Sequence, residues 1–385
     1  MGFGAIIASG DNDELLSQDL MDCVSEVRVE QFLDEPTRFA IRFQEDLEDG
    51  EPRIMQSPEL QCEQIITVAV EHRGGLVCLA RGPITERKSS LTLGGPGSWY
   101  EINGMDRRIE MSRVCYQTSW EGRASDAVSQ ILDLYGFEPD VQETTRVYEE
   151  STGTLNQRAT DQDFLNNLAR TNNLSFWITA KAEVDFSGNA LTVEETAHFT
   201  SSPPRAEGGP STGAPQVSLI PSTDVVMRVS VAKEKCPNVT GFELNQNGER
   251  PNTFSGTAID DLSVEDQTTS AQDNQPPVVD GGESLQTFAS AERTLCLTTA
   301  GDQQELQSKS ESALTEAGWF VTASATTTAH MLQGVLQPHD VIQVEGLGAR
   351  DSGAYQVSAV THTINAADHN QEVQLRRNAI GAPLA

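Results

Sequence analysis

The histidines are the first residues to test for chemistry, because imidazole serves both acid–base catalysis and metal binding. His330 and His339 are nine residues apart, and His362 and His369 are seven apart. Neither pair has the i, i+4 spacing that places two ligands on one face of a helical zinc site. His362 falls in a predicted strand, where the expected role is a hydrogen bond at the sheet face. The histidines therefore predict no metal or cofactor site.

Two acidic pairs, Glu149-Glu150 and Glu194-Glu195, have the composition of a glycosidase pair, in which one carboxyl is protonated and the other ionised. Neighbouring residues on an extended segment point to opposite faces, so we expect solvated charges at both places. The sequence contains no G-x-S-x-G elbow and no P-loop, and the GGPG at residues 94 to 97 continues into an extended segment rather than a helix. No catalytic residue is predicted, and the chain is not expected to be an enzyme.

The cysteines are scattered and contain no C-x-x-C pair, so metal binding by thiolates is not expected. They are predicted to be small buried hydrophobic residues in a protein made in a reducing compartment. The six positions are Cys23, Cys62, Cys78, Cys115, Cys236 and Cys296.

The formal charge of −31, from 57 acidic and 26 basic side chains, limits the possible partners. Tight nucleic-acid binding depends on clustered Lys and Arg, and this balance argues against it. The charge fits a channel wall that DNA or an unfolded protein passes without adhering, a host living in salt, or solubility alone. No run of about 18 apolar residues is present, so no membrane span is expected.

Residues 156 to 178 predict a helix followed by a strand. Thr160 and Asp163 have the spacing of a capping box at a helix start. Phe164, Leu165 and Leu168 then share one helical face, which predicts packing against a larger body. After the helix, apolar Phe176 and its neighbours alternate as in a strand.

The rest of the chain divides by pattern. Residues 22 to 110 alternate as short strands with one buried face each, for example at Phe39, Ile41 and Phe43, which predicts a small barrel or sandwich. Residues 124 to 135 predict an amphipathic helix that ends at Gly136. Two Pro/Gly-rich stretches, 201 to 216 and 265 to 282, are predicted loops, and 283 to 317 suggests one or two helices.

The pattern at residues 156 to 178 resembles the helix of contractile-tail baseplate hubs. These hubs comprise the phage late control protein D family, the hub of T-even phage baseplates and the hub half of valine-glycine repeat proteins. The matching positions are Thr160, Asp163, Phe164, Leu168 and Trp177.

Residues 318 to 379 resemble the same family in order, from a turn at a proline through a G-x-G and an SG-x-Y-x-V-x-x-V-x-H strand to a last strand ending in Arg-Asn. The matching positions include Pro338, Gly346, Gly348, Ser352, Gly353, Tyr355, Val357, Val360, His362, Arg377 and Asn378. His339 departs from the pattern, because many relatives carry glycine after the proline, and the type of this turn stays open.

The resemblance implies a β-rich α+β fold with two small antiparallel β-barrels, like those of tail tubes, and an inserted α/β region. The predicted units are a first β-barrel at 1–112, an α/β insert at 113–223 with the Pro/Gly/Ser loop at 201–216, a strand of the second barrel at 224–234, loops and helices of the insert region at 235–317, and the remainder of the second barrel at 318–385.

The resemblance also implies a function. A trimeric hub ring adapts a three-fold spike to the six-fold tail tube and lines the delivery channel, in the baseplate of a virion tail or an injection particle, after synthesis in the bacterial cytoplasm. Its implied partners are two further copies, a separate spike protein, the tail tube or a tube initiator, the tape-measure protein and baseplate wedge components. The chain ends six residues after Ala379, so a spike is expected to be a separate protein.

Two other functions remain open on the sequence. A tail-tip cell-wall hydrolase needs a catalytic carboxylate pair, and a host-binding tail adhesin should show repeats or exposed aromatic stripes. The sequence shows neither sign.

Overall fold

The computed structural model shows a β-rich α+β protein, which agrees with the predicted class. It describes residues 4–44, 52–92, 97–149, 154–185, 189–203, 221–230, 236–259, 266–272, 282–297 and 303–381. Residues 94–96 of the GGPG segment, Glu150, and residues 204–216 of the first predicted loop lie outside this part of the chain.

The strands are numbered in chain order. In the amino-terminal half they are β1 (Ile6–Ser9), β2 (Glu14–Leu15), β3 (Val24–Phe32), β4 (Arg38–Gln44), β5 (Ile65–His72), β6 (Gly75–Ser90), β7 (Trp99–Met105), β8 (Cys115–Trp120), β9 (Gly122–Arg123), β10 (Glu138–Val141), β11 (Val147–Tyr148), β12 (Leu155–Thr160), β13 (Ser175–Asp185) and β14 (Ala190–Thr200). In the carboxyl-terminal half they are β15 (Val226–Arg228), β16 (Gly241–Gln246), β17 (Thr253–Ile259), β18 (Asp266–Gln272), β19 (Glu283–Ser284), β20 (Thr294–Leu297), β21 (Val321–Thr328), β22 (Val341–Glu345), β23 (Gly353–Asn365), β24 (His369–Arg377) and β25 (Ala379–Ile380).

The helices are mostly short. They are α1 (Gln18–Cys23), α2 (Arg53–Gln56), α3 (Arg108–Met111), α4 (Ala124–Tyr135), α5 (Asp161–Thr171), α6 (Leu285–Phe288), α7 (Gln303–Gly318), α8 (Ala329–Leu332) and α9 (Gly348–Asp351), with a 3₁₀ turn at Pro58–Leu60.

One continuous sheet connects the two ends of the chain. Its order is β10-β14-β2-β1-β5-β6-β7-β4-β3-β23-β24-β21-β16, with β13 on β14 and with β22 on both β15 and β23. In the middle of this order, β3 pairs antiparallel with β23, from Phe32 opposite Ala359 to Glu26 opposite Asn365. We call this pairing the seam, because it joins a strand from the start of the chain to a strand from its end.

Three main hydrophobic cores lie along this sheet. The first is built from residues before 103 together with Ile364, the second from residues after 224, and the third from residues between 111 and 199. Each core is made of one stretch of the chain, apart from the contribution of Ile364. Packing is therefore mostly local to each stretch, and the seam carries the connection between the first and second cores.

The predicted one-sided burial of the early strands is confirmed for β4 and wrong for β5. Phe39 and Phe43 of β4 are buried and alternate with exposed arginines. In β5, by contrast, residues 65 to 70 are all buried. Thr67, on the face predicted to be open, donates a hydrogen bond to the Asp13 carboxylate over 2.5 Å. A second layer of polar groups covers that face, which local alternation does not predict.

The two predicted helices of the insert are present. Helix α4 buries its apolar face and ends at Gly136, whose φ of +70° is a left-handed cap. In α5, Phe164, Leu165 and Leu168 are buried, as predicted. Thr160 accepts a hydrogen bond from the backbone N–H of Asp163 over 3.1 Å.

The capping box at the start of α5 is only half formed. Thr160 Oγ1 also donates to the Asp163 carboxylate over 2.9 Å, and the reciprocal bond from the Thr160 backbone N–H to this carboxylate is not formed. Thr160 ends strand β12, where it pairs with Cys115. The helix start is therefore held by the threonine cap and by the preceding strand.

The strands of the insert are longer than predicted, and the insert shares the main sheet. β13 and β14 pair over their full length, from Ser175 opposite Thr200 to Asp185 opposite Ala190. Ala190 also pairs with Glu14 of β2. The strands of the insert therefore continue the main sheet and do not form a separate layer.

The carboxyl-terminal strands form the antiparallel unit that the sequence predicts, in the order β21-β24-β23-β22. The strand predicted within residues 224 to 234 is present in part, as β15, and residues 231 to 234 lie outside the described part of the chain. Strand β15 lies beside β22 in parallel, with Met227 opposite Val344. This parallel pairing departs from an all-antiparallel barrel.

The prediction of loops and helices for residues 235 to 317 is confirmed for its helices, α6 (Leu285–Phe288) and α7 (Gln303–Gly318), but it missed the strands of this segment. Strand β16 in this segment extends the main sheet by pairing with β21, and β17, β18 and β20 form a small three-stranded sheet. The predicted loop at 265 to 282 includes β18, Asp266–Gln272, within that small sheet. Polar β-strands such as DQTTSAQ have the composition of loops, so the pattern misassigned them.

Candidate functional site

A buried charge network joins strand β14 of the insert to strand β6 and to the turn before β2. Arg81 of β6 donates to Asp13 over 2.9 Å and to Glu195 of β14 over 2.8 Å, and Arg107 donates to the same Glu195 oxygen over 2.8 Å. The side chains of Asp13 and Glu195 are only 6% and 8% exposed. The prediction of a solvated charge at Glu195 is therefore wrong, whereas Glu194 is exposed as expected.

A second buried arginine lies beside this network. Arg108 at the start of α3 donates to both oxygens of Asp106, from Nη2 to Oδ2 over 2.7 Å and from Nε to Oδ1 over 3.1 Å. The same Nη2 also donates to the carbonyl oxygen of Glu35 over 2.8 Å. Because a bidentate pair fixes the plane of the guanidinium, Arg108 holds the end of β7 against the turn between β3 and β4.

An aromatic stack connects the insert to the carboxyl-terminal unit. Trp177 of β13 stacks with two imidazole rings, with ring centroids 3.8 Å from His339 and 4.7 Å from His198. His339 Nδ1 lies 2.6 Å from the Ser202 hydroxyl. Burial is the main cause that lowers the pKa of His339 well below its usual value, so this ring is neutral near pH 7.

His339 resolves the turn that the sequence left open. Its φ is +74°, and the Asp340 N–H donates to the Gln337 carbonyl oxygen over 3.3 Å. A proline followed by a residue with positive φ is the pattern of a type II turn, in which glycine is usual at the second central position. The chain therefore keeps the backbone that a glycine would give, and the stack on Trp177 offsets the strain.

We call the region around these groups the junction, defined by Arg81, Arg108, Trp177, Glu195 and His339. These residues line one cavity, with about 70 Å³ open to the centre of a water molecule. A cavity of this size, with a lining that mixes charged and apolar side chains, has room for a few ordered waters beside its polar groups. The junction is thus the place where the first sheet, the insert and the carboxyl-terminal unit meet.

A histidine pair lies at the seam. His362 Nδ1 is 2.9 Å from His369 Nε2, and His362 Nε2 is 3.2 Å from the Gln31 side-chain oxygen. Burial, as the largest cause, lowers the pKa of His362 to about 3 and the pKa of His369 to about 4. Both rings are therefore neutral near pH 7. The hydrogen-bonded role predicted for His362 is confirmed.

Four of the family-matching residues form what we call the carboxyl-terminal anchor: Gly346, Gly353, Tyr355 and Arg377. Arg377 is fully buried, and its Nη1 donates to the Ser352 carbonyl oxygen over 3.2 Å. Its guanidinium lies 5.3 Å from the centre of the Tyr355 ring. A Cβ at Gly353 would lie 3.2 Å from Arg377 Nη2, so the absence of a side chain leaves room for the buried arginine.

Gly346 and Gly348 give a matched test of this anchor. Both have positive φ, but a Cβ at Gly346 would lie 2.4 Å from the Ser230 carbonyl oxygen, whereas none of the described atoms lies within 4 Å at Gly348. We expect Gly348→Ala to cost about 1 kcal/mol of strain and Gly346→Ala about 2 to 3 kcal/mol, because strain and overpacking add. Urea denaturation measures both. Equal losses of stability in the two variants would show that the Ser230 backbone moves aside without an energetic cost.

The structure separates the family-matching positions into three places. Trp177 and Pro338 meet at the junction, and Thr160, Asp163, Phe164 and Leu168 belong to the helix of the insert. Gly346, Gly353, Tyr355 and Arg377 form the anchor, with the buried Asn378 next in sequence.

The sequence pattern does not reveal the charged residues of the junction. Glu195 and Arg81 become partners through pairing between segments more than a hundred residues apart. One local signal was available at Asp106-Arg107-Arg108, where two arginines follow an aspartate at the end of a predicted strand.

The prediction of buried cysteines is wrong for four of the six. Cys62, Cys115, Cys236 and Cys296 are exposed, Cys23 is half-buried, and Cys78 is buried. Burial raises the pKa of the Cys78 thiol to about 12. Within the described ranges, no three His, Cys, Asp or Glu side chains are placed to hold a metal ion, and no helix is long and apolar enough to cross a membrane.

No protein-family model matches this sequence, and no curated protein matches it either. Solved structures do match over nearly the whole chain. A tail protein from Neisseria meningitidis has a TM-score of 0.63 at 12% identity, covering 97% of both chains. The 43 kDa tail protein of prophage MuSo2 from Shewanella oneidensis has a TM-score of 0.63 at 11% identity, covering 97% of this chain and 98% of that one.

A third match comes from a secretion system. An Escherichia coli protein, described as a component of the type VI secretion system with structural similarity to T4 bacteriophage tail proteins, has a TM-score of 0.51 at 13% identity. The match covers 94% of this chain and 76% of that one. At these identities the likeness establishes a shared fold.

Proposed function

We propose that this chain is the baseplate hub of a contractile phage tail or a tail-like injection system. In this role, three copies form a ring that adapts a three-fold spike to the six-fold tail tube and lines the delivery channel. The observation that carries the proposal is the agreement of its fold, over 97% of the chain, with the tail protein from Neisseria meningitidis and the prophage tail protein from Shewanella oneidensis. The ordered resemblance of residues 318 to 379 to hub proteins supports the same role.

The layout of the sheet fits symmetry adaptation. Two mainly antiparallel units, one around the first core and one around the second, lie side by side across the seam. If each unit closes as a tube-like barrel, three copies present six similar positions to a six-fold tube. The seam fixes the two units relative to each other, which a rigid adaptor requires.

The net charge of −31 fits a conducting wall. A surface of this sign repels the DNA backbone and acidic segments of a passing protein, so cargo slides without adhering. Adaptation to a saline host, or solubility alone, would favour the same charge. We propose a location in the tail baseplate, after synthesis in the bacterial cytoplasm, with a separate spike, the tail tube or its initiator, the tape-measure protein and wedge components as neighbours.

We also propose that the hub catalyses no reaction. The carboxylate of Glu195, one half of an acidic pair in the sequence, accepts hydrogen bonds from two guanidinium groups. These contacts give it a structural role in tying β14 to β6 and α3. A hydrolase role at the tail tip has no observation of its own in its favour.

The trimer is the direct test. Light scattering of the purified chain is expected to give three times its 41.7 kDa mass at micromolar concentration, and electron microscopy a three-fold ring with an axial hole. A monomer or dimer that persists when the spike and tube proteins are added would contradict the hub. Clearing of a peptidoglycan gel by the pure chain would instead favour the hydrolase.

A further inference from the structure

The strands β8 and β12 form a two-stranded sheet that stands apart from the main sheet. We call it the ribbon. Its strands pair only with each other among the described residues, from Leu155 opposite Trp120 to Thr160 opposite Cys115. An isolated pair of strands is at best marginally stable in water, so a ribbon requires support.

The ribbon is held to the rest of the protein by hydrogen bonds of β12. Gln157 is buried, accepts a hydrogen bond from Trp120 Nε1 over 3.0 Å and donates to the Asp161 carboxylate over 2.6 Å. Strand β8 has no such cover, because residues 115 to 119 are all exposed. Five consecutive exposed residues mean that both faces of β8 are open, and its outer edge is unpaired within the described chain.

The edge of β8 lacks the devices that keep sheet edges from pairing. Its sequence, CYQTSW, has no charge, no proline and no glycine, in a chain of which 22% of the residues are charged. Edge strands are usually protected by charges, prolines or bulges. The edge strand β10, EPDV, shows this protection with Pro139 and two acidic residues. An unprotected edge of this length is suited to a partner.

Exposed apolar residues concentrate in the same region. Of the six large hydrophobic side chains that are exposed in the described residues, four fall between positions 114 and 147. Val114 and Tyr116 belong to the ribbon or adjoin it, and Val147 pairs with Arg123 just beyond the end of β8. Exposed apolar side chains beside an open strand edge favour a protein–protein contact there.

The charges around the ribbon indicate which partner fits. Arg113 and Arg123 flank the uncharged edge but are paired with Glu63 and Glu143, whereas Arg158 on β12 is exposed without an ion pair to any described residue. The complementary surface is acidic, and the chain itself, at −31 with a pI near 4.4, is such a surface. A molecule of this charge repels its own copies except where the local charge is neutral or positive, as it is here.

We infer that the ribbon is the surface through which one copy of this chain docks onto an acidic face of the next. The inference rests on the trimer of the proposed function and names the element that makes the contact. In a three-membered ring the contact is head-to-tail, so the ribbon meets a different surface of its neighbour and the ring closes after three copies.

The exposed cysteines provide a test in the unmodified chain. Cys115 lies at the start of β8, and Cys62, Cys236 and Cys296 are exposed elsewhere. A brief pulse of N-ethylmaleimide, followed by peptide mass spectrometry, is applied to dilute and to assembled protein. We expect labelling of Cys115 to slow about tenfold or more on assembly, because the reagent must reach the thiol, while the other three change little.

A charged substitution provides the second test. Thr118→Glu places a negative charge on the edge of the ribbon, which has the same sign as the acidic face that it is inferred to contact. Thr322→Glu makes the same change at an exposed position of β21. We expect Thr118→Glu to raise the dissociation constant of the trimer about tenfold or more, as measured by sedimentation, and Thr322→Glu to leave it unchanged. Matching circular dichroism spectra of the two variants check that both fold.

The outcomes separate this inference from the hub role. The ribbon contact is refuted if the chain forms a trimer in which Cys115 still reacts freely, or if Thr118→Glu does not weaken the trimer. Either result leaves the proposed hub function unaffected. Protection of Cys115 that appears only when a spike or tube protein is added assigns the ribbon to that partner and overturns contact between copies. A chain that stays monomeric with its partners present refutes the trimer and the ribbon contact together.

Discussion

Replacing Glu195 with alanine is expected to lower the free energy of unfolding by about 3 to 5 kcal/mol, the range seen when one partner of a buried ion pair is removed. The reason is the position of its carboxylate between Arg81 and Arg107, both of which donate to the same oxygen. Without it, two guanidinium groups face each other in a poorly solvated place. Each guanidinium keeps one acidic partner, Asp13 for Arg81 and Glu110 for Arg107, so the loss comes from the two charge-assisted hydrogen bonds to Glu195 that are no longer made.

The control for this substitution is the adjacent residue. Glu194→Ala makes the same chemical change on the same strand but at an exposed position, and is expected to change stability by about 0.5 kcal/mol or less. Urea denaturation followed by circular dichroism measures both. A loss below about 1 kcal/mol for Glu195→Ala would mean that solvent reaches the network and that the junction does not depend on it.

The second large effect is expected at helix α5. Phe164→Ala should cost about 3 to 5 kcal/mol, because it removes a buried aromatic side chain from the third core and leaves a cavity. Thr160→Ala should cost about 1 kcal/mol, because it removes only the hydroxyl that caps the helix. Shifts in melting temperature are sufficient to rank the two variants. A larger loss for Thr160→Ala would contradict the burial of Phe164.

An exposed position on the same helix gives the control for Phe164. Asn167→Ala lies on the solvent side of α5 and should leave the melting temperature nearly unchanged or raise it slightly, since alanine favours helices. A comparable loss at Asn167 would mean that the helix is covered on both sides.

Local patterns predicted much of this fold, because they report contacts between near neighbours. The buried face of α5, the cap at Thr160 and the alternation of Phe39, Ile41 and Phe43 each depend on residues within a few positions of one another. The carboxyl-terminal strands were found through an ordered resemblance rather than through periodicity. In both cases the signal lies within one continuous stretch of the sequence.

The errors share a different cause. Burial of both faces of β5, the network at Glu195 and the stack of His339 on Trp177 depend on segments far apart in the chain. Such contacts leave no pattern among ten neighbouring residues of the sequence. The polar strand β18 was missed for a second reason, since its composition is that of a loop and only its partner β17 makes it a strand.

The seam also has a consequence for how the protein is made. Gln31 and His362, which touch across it, are 331 positions apart, so the ribosome completes β3 long before it makes β23. At about 5 to 20 residues per second, the nascent chain waits on the order of tens of seconds with the edge of β3 unpaired. Glu26, Arg28 and Glu30 place alternating charges along that edge, which discourages pairing with a stray strand until the proper one emerges.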